Sequence, residues 1–210
     1  MKTAHWKVAR FIWVGLAAAA LALASCAKEM TLPLEWRPNT PAAEMQKQMG
    51  KVDLAGAKVQ FAKLEDTRKQ PTVIGKQPDD KEPKTVSTRD DVGAFVAKQL
   101  GASIAQLTPG SGLLVTDKEP SVAVSGKVVD FFVTEVRGTY EGEVRLALQV
   151  KKADGTLLYE VNTNGKSSRF APIPFKGENY QEAYSDALLQ VAKSLVEDAK
   201  FCTALRGTKP

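Results

Sequence analysis

The sequence predicts an α+β domain in which two helices pack on one face of a mostly antiparallel sheet. Three observations predict it. Val92, Phe95, Val96, Leu100, Ile104 and Leu107 recur at three- and four-residue spacing, the stripe of one amphipathic helix. Between Tyr140 and Lys151 the chain alternates instead, with Val144, Leu146, Leu148 and Val150 on one face and Glu143, Arg145 and Gln149 on the other, so one sheet face is wet. Ala183, Ala187, Leu188, Val191 and Leu195 draw a second helical stripe. Two apolar stripes and one apolar sheet face bury each other most simply as two layers.

Residues 1–25 read as a cleaved signal. Lys2, Lys7 and Arg10 precede an apolar run from Phe11 to Ala24, about 14 residues and too short to span a bilayer comfortably as a helix. Leu23-Ala24-Ser25-Cys26 looks like the lipobox of a bacterial lipoprotein. That implies a thioether-linked lipid on Cys26, cleavage before it and acylation of the new amino terminus. Ala27 follows, with no Asp at that position, which looks like an outer-membrane retention signal. The expected organisation is therefore a signal over 1–25, a lipidated cysteine and tether over 26–56, and a single α/β periplasmic domain over 57–205. Pro33, Pro38 and Pro41 interrupt the tether, with a short extended edge over Leu32–Trp36 and an amphipathic turn over Ala42–Met49.

Processing changes which functions remain open. Removing three of the 29 basic residues and none of the 24 acidic ones leaves a formal charge of +2. No Lys/Arg cluster interleaves with aromatics, so nucleic acid is not an expected partner. The single histidine, His5, leaves with the signal, and with it go Ser-His-Asp and Cys-His catalysis and the commonest neutral metal ligand. No cofactor, metal or enzymatic activity is expected. Carboxylate-only chemistry survives these exclusions, but no acid pair stands out. Acylated Cys26 has no thiol, which leaves Cys202 unpaired; beside Phe201 near a helix end, it reads as a half-buried hydrophobe. Gly110-Ser111-Gly112 follows a helix and precedes a strand, the reverse of a phosphate loop, and reads as a helix-ending turn.

Taken in order, Ala57–Leu64 reads as a first strand with Val59 and Phe61 on one face. Residues 65–86 read as a long polar loop containing Pro71, Gly75, Pro78, Pro83 and the charged run Asp79-Asp80-Lys81-Glu82-Lys84. Its tip, Gln77 to Lys84, has no apolar side chain to offset ordering entropy and is expected to be mobile and dispensable. The first helix is expected from Ser87 or Thr88, either of which caps it, with Asp90 and Asp91 in its first turn and Pro109-Gly110 at its end. Leu113–Thr116 is a short strand and Ala123–Arg137 a long one, bulged at Gly126. Gly138 turns the chain into Tyr140–Lys151, Ala153-Asp154-Gly155 signals a hairpin, and Thr156–Ser168 returns. The last helix begins near Asn179 and its stripe runs to Cys202.

On the long strand, Val129, Phe131 and Val133 read as core-facing. Val128, Asp130 and Phe132 then share the outer face, where Asp130 is solvated. Two large apolar side chains there point to contact with the tether, a second copy or a partner. Asp66 and Arg68, just after the first strand, read as a turn cap and a local ion pair, with a metal or anion site as the alternative.

The run Val59-Gln60-Phe61-Ala62-Lys63-Leu64-Glu65-Asp66-Thr67-Arg68, followed by Ile74-Gly75, is similar to the strand–Asp-x-Arg–x–Ile-Gly opening of the YajG-type lipoproteins of Gram-negative bacteria. The likeness continues through the helix from Thr88, the strand from Gly126, the Asp154-Gly155 turn and the Asn179-Tyr180-x-x-Ala183 helix entry. Leu34-Glu35-Trp36-Arg37-Pro38 looks like that family's Leu-x-Tyr-x-Pro stretch, with Trp in place of Tyr. Most of residues 26–200 is covered. The resemblance implies a lipid-anchored, periplasm-facing α/β domain with no established enzymatic activity, loosely similar to lipoproteins that activate peptidoglycan synthases or assist outer-membrane transport. Asp66, Arg68, Ile74 and Gly75 are motif positions, and no role carries over to them. The 78–84 stretch looks like an elongation of the usual loop. The expected function is a non-catalytic protein-interaction or assembly-accessory module, held to the bilayer through Cys26, with an envelope protein or a second copy as partner. A periplasmic small-molecule or glycan-binding lipoprotein is the alternative.

Overall fold

The computed structural model describes residues 29–78, 84–173 and 176–210. The signal, Cys26 and the 79–83 portion of the long loop lie outside the described residues. In chain order the elements are β1 (Glu29–Thr31), α1 (Ala42–Lys47), β2 (Lys58–Phe61), β3 (Glu65–Asp66), β4 (Val73–Gln77), β5 (Lys84–Ser87), α2 (Val92–Leu107), β6 (Leu114–Val115), β7 (Val122–Val136), β8 (Thr139–Lys152), β9 (Leu157–Phe170), α3 (Gly177–Glu197) and α4 (Ala199–Leu205).

In the antiparallel meander β7–β8–β9, β8 keeps a two-residue apolar period along its length, β7 keeps one on either side of a bulge, and β9 alternates covered and exposed positions from Tyr159 to Phe170. One edge of β7 takes β8. Its other edge takes β2, β3 and β4 in succession, all parallel. Beyond β4 lie β5, antiparallel, and β1, parallel to β5. Val124, Val128, Phe131, Val144, Leu146 and Leu148 of the sheet are buried, as are Val96, Leu100 and Ile104 of α2 and Tyr180, Ala183, Tyr184, Leu188 and Val191 of α3. α3 lies almost on the sheet backbone. A Cβ on Gly142 would come within 2.5 Å of the Ala183 carbonyl, and one on Gly165 within 2.0 Å of that of Ala187.

Two helices on one face of the sheet is not what forms. The described residues hold four helices and a nine-stranded mixed sheet, within the α+β class. The final helix divides because Asp198 leaves the helical region (φ −80°, ψ 103°) and its carboxylate accepts from Lys200 N and Phe201 N, capping α4. Residues 65–86 are not one loop. Ile74 and Val86 are core residues, and β4 pairs with β5 on one side and β7 on the other. With β5 occupying Lys84–Ser87, α2 starts late: Asp91 is its N-cap and accepts from Ala94 N at 2.9 Å. The bulge in β7 falls between Val128 and Asp130 rather than at Gly126.

The stretch after β1 is tied along α3. Glu35 N donates to Tyr184 Oη at 2.9 Å, and that hydroxyl donates to Glu35 O at 3.0 Å. Arg37 N donates to Ser185 Oγ, Asn39 N and Thr40 N donate to Asp186 Oδ1, and Gln181 Nε2 donates to Pro33 O. Positions 181, 184 and 185 share one helix face and Asp186 lies further round the helix, so α3 presents a series of partners to a strap that lacks regular structure.

Candidate functional site

Asp66 and Arg68 meet where β3 runs into the 67–72 turn. The guanidinium grips the carboxylate with two bonds, Nε to Oδ1 at 2.9 Å and Nη2 to Oδ2 at 2.7 Å. Nη1 donates to Val73 O at 2.8 Å and Phe131 O at 3.0 Å, and Nη2 also donates to Pro71 O. A guanidinium has five N–H donors, and all five are used. The Arg68 side chain is 7% exposed and that of Asp66 18%. No N–H of Arg68 is left over for an anion, and the pair is a structural knot joining the turn, β4 and the bulged part of β7. Thr67 reinforces it, donating from both N and Oγ1 to Val128 O.

The other two motif positions serve packing. Ile74 is fully buried. A Cβ on Gly75 would lie 2.8 Å from Val133 O and 2.9 Å from the Tyr180 ring, so glycine lets β4 pass under the N-terminal turn of α3. Burial pushes the Tyr180 hydroxyl well above its ordinary range, with the Glu135 charge adding to it; burial does the same to Tyr184.

The sequence places Val128, Asp130 and Phe132 together on the outer face, and the structure separates them. Val128 is core, because the bulge at 128–130 puts both Val128 and Phe131 inward and turns Val129 out. Asp130 and Phe132 remain outside, with Val129 taking the expected place of Val128. Asp130 is paired rather than simply solvated. Its Oδ2 accepts from Arg145 Nη2 at 2.8 Å, Arg145 lies 3.7 Å from Glu143, and Glu143 lies 3.6 Å from Lys166. Charges of alternating sign thus cross β7, β8 and β9. Phe132 lies next to them with Lys76 Nζ 5.9 Å from its ring centroid, and a shallow groove of about 500 Å³ runs between Asp130, Phe132, Thr134, Glu143 and Lys166.

Two features escaped the sequence. Glu135 is a fully buried carboxylate whose Oε1 accepts from Gly138 N at 2.9 Å, holding the β7–β8 turn. The strap on α3 is the other; its single-residue signals, such as Asp186 and Tyr184, read as ordinary helix positions. Cys202 is buried, its Sγ 3.3 Å from Val196 O, and burial raises its thiol pKa. Among the described residues no group of three or more His, Cys, Asp or Glu is placed to hold a metal ion.

No family model matches the chain, and no curated protein matches it. A Xanthomonas campestris protein of the DUF330 family superposes with a TM-score of 0.50 at 9% identity, over 80% of this chain and 92% of that one. The chain shares its fold. A Caulobacter crescentus protein described as a candidate lipoprotein aligns with a TM-score of 0.43 and 14% identity, over 71% and 95% of the two chains. A minor lipoprotein of Acinetobacter baumannii aligns with a TM-score of 0.32 and 16% identity, over 67% and 85%.

Proposed function

We propose that this chain is a lipid-anchored envelope protein that acts by binding another protein, with no catalytic role. The observation that carries the anchoring is the Leu23–Cys26 lipobox behind a basic, apolar leader. Ala27 supports an outer-membrane location facing the periplasm, and the order of the Asp66-x-Arg68 and Ile74-Gly75 motifs supports kinship with the YajG-type lipoproteins. The binding reading rests on the outer face of β7–β9. It carries Val129 and Phe132 beside a ladder of ion pairs, an apolar spot rimmed by charge. A second groove of about 550 Å³ lies between Lys63, Ser125, Gln149, Glu160 and Asn162. It lies further along the same sheet face and its lining has no aromatic platform, so it favours a glycan ligand less than the Phe132 end favours a protein. Cross-linking followed by pull-down from native membranes, with wild type and Phe132→Glu compared, tests the reading. The expected result is a defined envelope protein, or a second copy of this chain, recovered with wild type and lost with the variant at unchanged melting temperature. Equal recovery with both would move the site away from this face.

A further inference from the structure

Six strands end at one edge of the domain, and their register fixes which edge it is. Val136 lies opposite Thr139, and Thr139 opposite Phe170. Lys76 of the parallel β4 lies opposite Thr134, Gln77 opposite Lys84, and Thr85 opposite Glu29. Glu29 therefore shares its end of the sheet with the β7–β8 turn and the last residue of β9. At that same end three large apolar side chains face solvent: Phe170 is 70% exposed, Ile173 60% and Val136 45%. Ile173 is held there by its carbonyl, which accepts from Tyr140 Oη at 3.3 Å and Asn179 Nδ2 at 3.2 Å. The turn between β7 and β8 has φ +51° at Arg137 and φ +82° at Gly138. Asn or Gly is the usual choice for the first of these positions, and Arg137 instead places a long cationic side chain at the tip.

Building on the lipid-anchored reading, we propose that this end of the sheet rests on the bilayer, with Phe170, Ile173 and Val136 seated in the headgroup region. Chain length carries the argument. Cys26 precedes Glu29 by three residues, which extend to about 10 Å at most. β1 has no slack of its own: it pairs with β5, Glu29 Oε1 accepts from Ser87 Oγ at 2.8 Å, and Leu32 N donates to Ser87 O at 2.9 Å. Acyl chains on Cys26 hold this end against the headgroups. Leu157, at the other end of β9, stands about 40 Å away. The exposed side chains gathered beside the anchor are the kind that enter the interfacial zone. Charge contributes little, because the cations Lys76, Lys84, Arg137 and Lys176 share this end with Glu29, Glu141 and Glu178 and nearly balance them, and Lys176 pairs with Glu178 at 2.6 Å. Seating is therefore apolar and indifferent to salt.

The test uses the full chain purified from native membranes and returned to phosphatidylcholine vesicles with brominated acyl chains, with the mass of the Cys26 peptide measured in parallel. Phe170→Trp and Ile173→Trp each add one tryptophan at the proposed contact, and Leu157→Trp adds one at the far end. Quenching is read as the increment over wild type, whose processed chain carries only Trp36. The expected result is loss of about half the added emission at 170 and 173, none at 157, and no change in 0.5 M salt. Vesicle-bound, acylated protein with all three probes unquenched, or with 157 quenched equally, would overturn the orientation and leave the anchoring intact. Protein that is unacylated at Cys26 and fails to float with the vesicles would overturn the anchoring reading and this one with it.

Discussion

Substituting Asp66 by Ala should cost far more than the loss of a surface turn cap. In the folded chain the Arg68 guanidinium is 7% exposed and spends two of its five donors on the Asp66 carboxylate. Removing one member of a buried pair leaves an uncompensated charge, at about 3–5 kcal/mol. Two features reduce that here: Asp66 is itself 18% exposed, and Arg68 keeps its carbonyl partners Val73, Phe131 and Pro71. A loss of about 2–4 kcal/mol follows, or a melting temperature lower by roughly 10 °C for a domain of this size. Urea denaturation of wild type, Asp66→Ala, Arg68→Met and the double variant reads this directly. Because the double variant removes the charge along with its partner, its loss should fall well short of the sum of the two single losses. A single-variant loss below about 0.5 kcal/mol, or simple additivity, would refute the buried knot. Loss of a pulled-down partner by Asp66→Ala at unchanged melting temperature would instead make this turn a working surface.

Three further outcomes follow from packing and burial. Gly75→Ala drives a methyl into Val133 O and the Tyr180 ring and should cost about 1–3 kcal/mol in the same urea series. Tyr184→Phe removes the hydroxyl that both donates to and accepts from Glu35, so limited proteolysis should cut between residues 35 and 50 faster, with a stability loss of about 1–2 kcal/mol. Tyr180 and Tyr184 hold their protons in the folded state beyond the ordinary value of 10.0, whereas unfolded tyrosine releases them there. Their contribution is thus complete below that pH and is lost as pH rises above it, which denaturation midpoints between pH 8 and 12 should show. Cys202 should resist alkylation in native protein and react at once in urea, since burial both hides the thiol and raises its pKa.

What the sequence showed and what it hid divide along physical lines. β8 was legible because its two-residue period runs unbroken from Tyr140 to Val150, and β7 and β9 because shorter alternations adjoin the turns at Gly138 and Asp154-Gly155. β3, β4 and β5 were not, because two to five residues carry no usable period, and Gly75 and the nearby prolines imitate a loop. The outer face was half legible. Phe132 and Asp130 are where alternation puts them, but a bulge inverts Val128 and Val129, and no local residue signals a bulge there. Asp66 and Arg68 were readable as a local pair; their burial was not, since the Phe131 carbonyl that completes the knot comes from 63 residues away. The strap at 33–40 stayed hidden for the same reason, its partners lying some 147 residues downstream on α3.

The most direct test of the account is the amino-terminal peptide of the protein purified from membranes, measured by mass spectrometry beside Cys26→Ser. The account predicts a chain that begins at Cys26 and carries its acyl groups, and a Cys26→Ser protein that is released from membranes or remains an unprocessed precursor. A different mature terminus, an unmodified Cys26, or a Cys26→Ser protein of normal size still held in the membrane would contradict it.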